Sequence, residues 1–205
     1  MAYTHDIFIS YRRHPETLGW IKNHFLPLLE LHVGLELGNN PKIYVNEVTH
    51  EIAAGTVWPQ ALAQELGASK VLVALWTKTF FNSVWCTEEM SHMLIREDGT
   101  LAPRNKYALV IPAIIHDGDD FPKTLDVIQK LDIKACFNPR MRKDSALAEE
   151  LSDRLAANAA GVAGAILNAP PWNAAWPQQA AKKFFDAFYA AAAPEQTDVP
   201  KFQPT

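Results

Sequence analysis

The segment Val71-Leu72-Val73-Ala74-Leu75-Trp76 is apolar at every position. A continuous apolar run of this length is typical of a strand that is buried on both faces, as the central strands of a parallel sheet are. On its amino-terminal side, Trp58, Leu62 and Leu66 recur every four residues and predict a short amphipathic helix, with Gly67 well placed to end it. The sequence around this segment therefore predicts a helix followed by a central strand.

Further apolar runs extend this pattern along the chain. They predict strands at residues 7–9, 43–45, 107–115 and 133–137. The intervening segments predict a helix that Thr17 caps and Pro27 kinks, a helix from Ser83 to about Glu97, and a helix that Ser145 caps. Strands that alternate with helices predict a parallel sheet covered by helices on both faces. Five such strands fit the flavodoxin-like α/β class.

The carboxyl-terminal part carries one more helical pattern. Residues 1–167 hold the alternating strands and helices, residues 168–193 predict a helical extension, and residues 194–205 predict a flexible tail. Pro177 suits the first turn of the additional helix. The aromatic residues at positions 184, 185, 188 and 189 form one face, which either packs on the domain or meets a partner.

The composition narrows the class of protein. A formal net charge of −4 gives no reason to expect binding to nucleic acid or to an anionic membrane. No apolar run approaches the roughly 20 residues that span a bilayer, and the amino terminus lacks a signal-peptide pattern. With two cysteines in 205 residues, a disulfide framework is not expected, which favours a cytoplasmic protein.

Motifs for several other chemistries are missing from the sequence. The seven histidines show no metal-ligand spacing, so that no metal site is predicted. No Gly-x-Gly-x-x-Gly or Walker-type loop occurs, which argues against a redox dehydrogenase and against an NTPase.

Four ordered pieces of the sequence, Asp6–Arg13, Ile43–Asn46, Glu51–Gly55 and Ser83–Glu89, together resemble the TIR domain family. Asp6–Arg13 is similar to the family's first strand and the loop after it, and Ile43–Asn46 is similar to its second strand. Glu51-Ile52-Ala53-Ala54-Gly55 resembles the glycine-containing loop through which TIR domains meet one another. Ser83–Glu89 resembles the Ser-x-Trp-x-x-x-Glu element that carries the catalytic glutamate of the NAD-cleaving branch. The resemblance, from residue 4 to about 165, implies a prokaryotic stand-alone TIR protein with a flavodoxin-like fold.

Two adjacent acids, Glu88 and Glu89, compete for the catalytic position. On a helix that starts near Trp85, Glu89 lies at the border of the apolar stripe that includes Cys86 and Met93, whereas Glu88 faces water. A carboxylate at such a border can line a cleft and lose part of its hydration. The motif independently selects Glu89. The alternative for either acid is a favourable interaction with the helix dipole and nothing more.

The resemblance implies that NAD+ is the substrate, that no separate cofactor is needed, and that five further residues bind it. These are Tyr11, Arg12, Arg13, Asn46 and Trp85. Ligands of open α/β sheets bind outside the carboxyl ends of the strands, where a tyrosine can stack and an arginine can bind a diphosphate. The alternatives are a solvated basic loop for the arginines and core packing for Trp85. Asn46 departs from the aspartate that many family members have at that position.

Three functions are compatible with these features. An NAD+ nucleosidase or ADP-ribosyl cyclase releases nicotinamide and forms ADP-ribose or a cyclic isomer, a base-exchange enzyme uses the same glutamate, and a scaffold only assembles signalling complexes. Glu89 together with Trp85 favours an enzyme, because adaptor TIR domains commonly lack that acid. The resemblance further implies self-association, with residues 51–55 of one copy completing the site of another. A signal-producing partner to a separate effector protein that senses the product, as in antiphage defence, is favoured over a free-acting effector.

Overall fold

Within residues 2–46, 58–100 and 107–192, which the computed structural model describes, five strands form one parallel sheet. They are β1 (His5–Tyr11), β2 (Ile43–Val45), β3 (Ser69–Trp76), β4 (Val110–Ile114) and β5 (Leu131–Asp132). Their order across the sheet, β2-β1-β3-β4-β5, is that of a flavodoxin-like fold. β3 lies in the centre and its residues 71–76 are buried, as their continuous apolar run predicts.

Helices cover both faces of this sheet, which confirms the predicted fold class. The α-helices of the described residues are α1 (Pro15–Trp20), α2 (Leu26–Leu37), α3 (Trp58–Gly67), α4 (Val84–Thr100), α5 (Ala146–Leu167) and α6 (Trp176–Ala192). α1, α2 and α5 share one core with Ile7 and Ile9 of β1, whereas α3, α4 and α6 share the other with Phe8. This division follows from the two-residue period of a strand. None of the described helices is long and apolar enough to cross a membrane.

The first helical segment differs from its prediction in two respects. α1 begins at Pro15, with the His14 side chain accepting a hydrogen bond from the Glu16 N–H, so the predicted Thr17 cap is wrong. A π-helical turn at Ile21–Phe25 then separates α1 from α2, instead of a simple kink. Pro27 lies two residues after this turn, at the start of α2. Because proline lacks an N–H and crowds the carbonyl four residues earlier, the widened turn relieves the clash that regular α-helical geometry would create.

The fifth strand lies earlier in the chain than predicted. Instead of residues 133–137, the strand comprises Leu131–Asp132, and a 3₁₀ turn occupies Lys134–Cys136. The Ile133 N–H still donates to the Ile114 carbonyl at 3.1 Å, but β4 ends there and His116 adopts a φ of 49°. No partner backbone is therefore left for a longer β5. The apolar side chains after Asp132 are buried in the core beneath α5 without belonging to a strand.

α6 packs on α3 and α4, and the junction with α3 is close. Gly67 is the last residue of α3, and a Cβ added there would lie 2.6 Å from the Pro177 nitrogen. The Trp172 indole N–H donates to the Gly67 carbonyl at 3.2 Å. Of the predicted aromatic face, Phe184 is fully buried in the domain. The side chains of residues 185, 188 and 189, and the predicted tail at 194–205, lie outside the described part of the chain.

Candidate active site

Glu89 lies near the start of α4, where this helix packs against β1. Ser83 precedes the helix, and its hydroxyl accepts a hydrogen bond from the Cys86 N–H at 3.4 Å, which helps to fix where the helix begins. From this start, Glu89 falls on the buried side of α4 and is 5% exposed. Ser10 of β1 donates its hydroxyl hydrogen to the Glu89 carboxylate over 2.5 Å. The carboxylate is thus held between the helix and the strand.

Burial determines the acidity of Glu89. It raises the pKa of this carboxyl from 4.5 to about 7, although the Ser10 hydrogen bond and the charge of Arg13 both act to lower it. The same surroundings raise the pKa of the Cys86 thiol to about 12, through burial first and the Glu89 charge second. Cys86 is therefore protonated at neutral pH and is a poor nucleophile, whereas Glu89 changes its charge near neutrality.

Glu89 forms part of the wall of a cavity of about 270 Å³. The cavity is lined by Ile9, Tyr11, Arg12, Arg13, Asn46, Ser83, Trp85, Cys86 and Glu89. These residues come from the carboxyl ends of β1 and β2 and from the start of α4. The fold therefore brings Glu89 together with the five residues predicted to bind the substrate. The loop at residues 51–55, predicted to take part in assembly, lies outside the described residues.

The carboxyl end of β1 supplies an aromatic and a cationic part of the cavity wall. Tyr11 is buried, and its hydroxyl donates to the Asn46 carbonyl at 3.1 Å, which ties the end of β1 to the end of β2. Arg12 and Arg13 are exposed. Desolvation lowers the pKa of Arg13, and the Glu89 carboxylate acts in the opposite direction. Arg13 and Glu89 are therefore close enough to interact through their charges.

Trp85 both lines the cavity and packs in the core, the two alternatives that the sequence allows for it. Its half-buried indole lines the cavity. It also contacts Phe184 of α6, with the two ring centroids 5.6 Å apart and an interplanar angle of 58°. Packing in the core and forming the cavity wall are therefore compatible for this side chain, because α6 supports it from behind.

Two features of the site escaped the sequence analysis. Ser10, which holds Glu89, is 1% exposed, and its signal is a polar residue inside an apolar strand, on the same face as Phe8. Glu88 was expected to face water, but it is half-buried, with its carboxylate 3.4 Å from the Lys183 ammonium of α6. Local helix geometry could not show this pair, since α6 lies almost a hundred residues further along the chain.

The arrangement of charges and rings defines the ligands that the cavity suits. A carboxylate in a medium of low dielectric constant interacts strongly with a positive charge that develops beside it. The arginines at its mouth suit an anionic group, and the Trp85 ring suits a flat heterocycle. Among the described residues, no group of three or more His, Cys, Asp or Glu side chains is placed to hold a metal ion. The geometry fits a ligand with a cationic centre at one end and an anionic group at the other.

Comparison with known proteins gives a family match and likenesses to solved structures. The family model described as the TIR domain matches residues 7–141. The TIR domain of the Toll-related receptor TRR-2 from Hydra magnipapillata shares 20% identity, with 63% of this chain and 84% of that chain covered and a TM-score of 0.45. The TIR domains of the activated Roq1 resistosome, which directly recognises the pathogen effector XopQ, share 15% identity, with 92% and 99% covered and a TM-score of 0.37. No curated protein matches the chain.

Proposed function

The chain belongs to the TIR domain family, and we propose that it cleaves the bond between nicotinamide and ribose in NAD+. The observation that carries this proposal is the buried Glu89 carboxylate, which Ser10 holds in the wall of a cavity shared with Trp85 and two arginines. NAD+ has a cationic nicotinamide ring on one side of its ribose and a diphosphate on the other. These charges match those of the cavity.

The proposed reaction needs one carboxylate. The glycosidic C–N bond breaks and its electron pair leaves with nicotinamide, which departs as a neutral molecule, so that no strong general acid is required. The ribosyl group acquires oxocarbenium-like positive charge, as in glycoside hydrolysis. The ionised Glu89 carboxylate stabilises this charge and accepts hydrogen bonds from the ribose hydroxyls. Attack by water then forms ADP-ribose and releases a proton, whereas attack by an adenine nitrogen forms a cyclic isomer.

Burial of Glu89 has a catalytic consequence under this proposal. Water that surrounds a carboxylate screens it, whereas at a buried site the same charge acts more strongly on the ribosyl cation. The burial that raises the pKa of Glu89 to about 7 also reduces the ionised fraction at neutral pH. A bound cationic nicotinamide favours the ionised form again. Binding of the substrate thus increases the ionised fraction of Glu89, the form that stabilises the ribosyl cation.

The other residues of the cavity have roles in binding. Trp85 stacks on the nicotinamide ring, and Arg12 and Arg13 bind the diphosphate through their guanidinium groups. Tyr11 and Asn46, which are joined by their hydrogen bond, form the wall between the first two strands. The proposal includes self-association, in which residues 51–55 of a second copy cover the open side of the cavity. The product would then act on a separate effector protein in antiviral signalling.

The experiment compares two isosteric variants of neighbouring glutamates. Purified wild type, Glu89→Gln and Glu88→Gln are incubated with NAD+ over a range of protein concentrations, and the products are separated by chromatography. Glu89→Gln is expected to release nicotinamide at least about 100-fold more slowly than the wild type, because it lacks the stabilising charge. Glu88→Gln keeps most of the activity. ADP-ribose and cyclic isomers elute separately, so that the same assay identifies the product.

Two outcomes contradict the proposal in different ways. Equal nicotinamide release by the wild type and Glu89→Gln would remove Glu89 from the catalytic role. No release by the wild type at any concentration, including concentrations at which light scattering shows assemblies, would favour a TIR scaffold that only mediates contacts between copies.

A further inference from the structure

A second cavity, of about 450 Å³, lies beside the Glu89 cavity over the carboxyl ends of β1, β3 and β4. Arg12 and Arg13 line both cavities. The remaining wall of the second cavity includes Glu16, Thr77, Thr79, His116, Asp117 and Phe137. In the strand order of this sheet, the chain changes direction between β1 and β3, and ligands of open α/β sheets bind at the carboxyl edge of such a switch point.

The volumes of the two cavities indicate that a dinucleotide needs both. Pockets that hold a drug-sized ligand have volumes of about 300–1,000 Å³. The Glu89 cavity, at about 270 Å³, is smaller than this range, whereas the second cavity, at about 450 Å³, lies within it. We propose that the second cavity binds the adenosine half of the dinucleotide, while Arg12 and Arg13 bind the diphosphate between the two cavities. This inference rests on the proposed cleavage of NAD+ in the Glu89 cavity.

The side chains of the second cavity match the chemical groups of adenosine. The rings of His116 and Phe137 lie 5.8 Å apart at an interplanar angle of 76°, and together they offer aromatic surface to a purine base. The carboxylates of Glu16 and Asp117 are acceptors for ribose hydroxyls, as an acidic residue is in other dinucleotide sites. From the Glu89 cavity outward, the walls therefore carry first the Glu89 carboxylate, then the guanidinium groups of the two arginines, and then the acidic and aromatic side chains of the second cavity. This is the order that nicotinamide riboside, diphosphate and adenosine require.

The wall that carries His116 is held in place before any ligand binds. Within the described chain, His116 is the non-glycine residue with a positive φ, 49°, a conformation that side chains rarely adopt. Asp117 accepts a hydrogen bond from the Lys78 N–H at 3.0 Å and lies 3.2 Å from the His116 imidazole. A Cβ on the next residue, Gly118, would lie 2.1 Å from the Trp76 carbonyl oxygen. The turn after β4 is therefore fixed against the end of β3, with the His116 ring turned toward the cavity that it lines.

Filling the second cavity tests the inference. Thr79 is exposed in its wall, and Thr79→Trp places a bulky side chain there without disturbing the core. The matched control is Thr4→Trp. Thr4 is exposed and lies just before β1, at the amino ends of the strands and so on the side of the sheet opposite to both cavities. His116→Gly is a second variant, which removes the ring and tolerates a φ of 49°. Binding of ADP is measured by calorimetry, and KM is measured for NAD+ and for nicotinamide riboside, which has neither diphosphate nor adenosine.

The expected result separates the two substrates. Thr79→Trp weakens ADP binding and raises KM for NAD+, each about tenfold or more, because the base and its ribose lose their site while Arg12 and Arg13 still bind the diphosphate. His116→Gly raises KM for NAD+ in the same direction. KM for nicotinamide riboside changes by less than about twofold in both variants, and Thr4→Trp behaves as the wild type.

The outcomes distinguish this inference from the proposed function. If the protein cleaves NAD+ but Thr79→Trp leaves ADP binding and both KM values unchanged, or changes both KM values equally, the adenosine site is wrong and the cleavage stands. If NAD+ is not cleaved, yet ADP binds to the wild type and to Thr4→Trp and at least about tenfold more weakly to Thr79→Trp, the nucleotide site stands and the proposed function fails.

Discussion

Replacing Glu89 by glutamine isolates the energetic consequence of burying an ionisable group. Glutamine has nearly the same shape as glutamate, and its amide oxygen can still accept the hydrogen bond from Ser10. It carries no charge at any pH, so that the penalty for an ionised group out of water is absent. We therefore expect Glu89→Gln to be more stable than the wild type wherever the wild-type carboxyl is ionised.

The magnitude and the pH window follow from the pKa of Glu89, which burial raises from 4.5 to about 7. The folded state binds the proton more tightly than the unfolded state, and the wild type therefore loses stability as the pH rises from 4.5 to about 7. At about 1.4 kcal/mol for each tenfold difference in proton affinity, this loss amounts to about 3 kcal/mol. The variant and the wild type should thus be similar in stability below pH 4.5 and differ by about 3 kcal/mol above pH 7.

Urea unfolding, followed by tryptophan fluorescence at several pH values between about 4 and about 8.5, measures this difference. Other titrating groups contribute equally to both proteins and cancel in the subtraction. Glu88→Gln is the control, because the Glu88 side chain is half-exposed and its pair with Lys183 should contribute no more than about 1 kcal/mol at any pH. A stability difference for Glu89→Gln that stays constant across the whole pH range would refute the argument that burial raises this pKa.

Substitutions at two further residues test the groups around Glu89. In the wild type, kcat/KM for NAD+ should rise with pH through a pKa near 7. Ser10→Ala should shift this rise to higher pH, because the variant lacks a hydrogen bond that lowers the Glu89 pKa. Identical pH–rate profiles for the two proteins would contradict the role of Ser10. Phe184→Ala should reduce the free energy of unfolding by about 3–5 kcal/mol, because it leaves a cavity in the core. It should also raise KM for NAD+, because Trp85 loses the ring that packs behind it. Phe184→Leu should retain much of the wild-type stability and a KM closer to that of the wild type. Urea titration and initial rates measure these effects. An unchanged KM in a stably folded Phe184→Ala would show that substrate binding by Trp85 does not depend on its contact with α6.

The fold could be predicted where local signals and burial agree. The apolar segment at residues 71–76 is typical of a strand with neighbours on both sides, and the sheet places β3 at its centre. Ser145 caps α5 by accepting from the Ala148 N–H, as its position before a helical pattern indicates. The fifth strand could not be placed in the same way. Its length depends on where β4 stops, and His116 ends that pairing through a backbone conformation that no apolar pattern reveals.

The candidate site could be predicted to the extent that it depends on single elements. Helical periodicity distinguishes Glu89 from Glu88, because Glu89 lies on the side of α4 that faces β1 and Glu88 does not. The partners of both acids depend on elements that are distant in the sequence. Ser10 reaches Glu89 across the sheet-to-helix contact, and Lys183 reaches Glu88 from α6. Pairings of this kind are set by tertiary packing, which the periodicity of one helix does not contain.

The carboxyl-terminal helix α6 supports the site from outside, because its Phe184 packs against Trp85 of the cavity wall. α6 lies beyond residues 7–141, to which the family match extends, and it packs on the helix that carries Glu89. From its raised pKa, we expect an ionised Glu89 to destabilise the fold by about 3 kcal/mol, whereas complete burial of one phenylalanine contributes about 1.5–3 kcal/mol in the opposite direction. Phe184 is such a residue, and the Trp176 ring adds a cation–π contact with Arg96 of α4, whose Cζ lies 3.9 Å from the ring centroid. Packing of α6 on α4 therefore offsets part of the energetic cost of the buried Glu89, and under the proposed function we expect the activity to depend on this helix outside the matched residues.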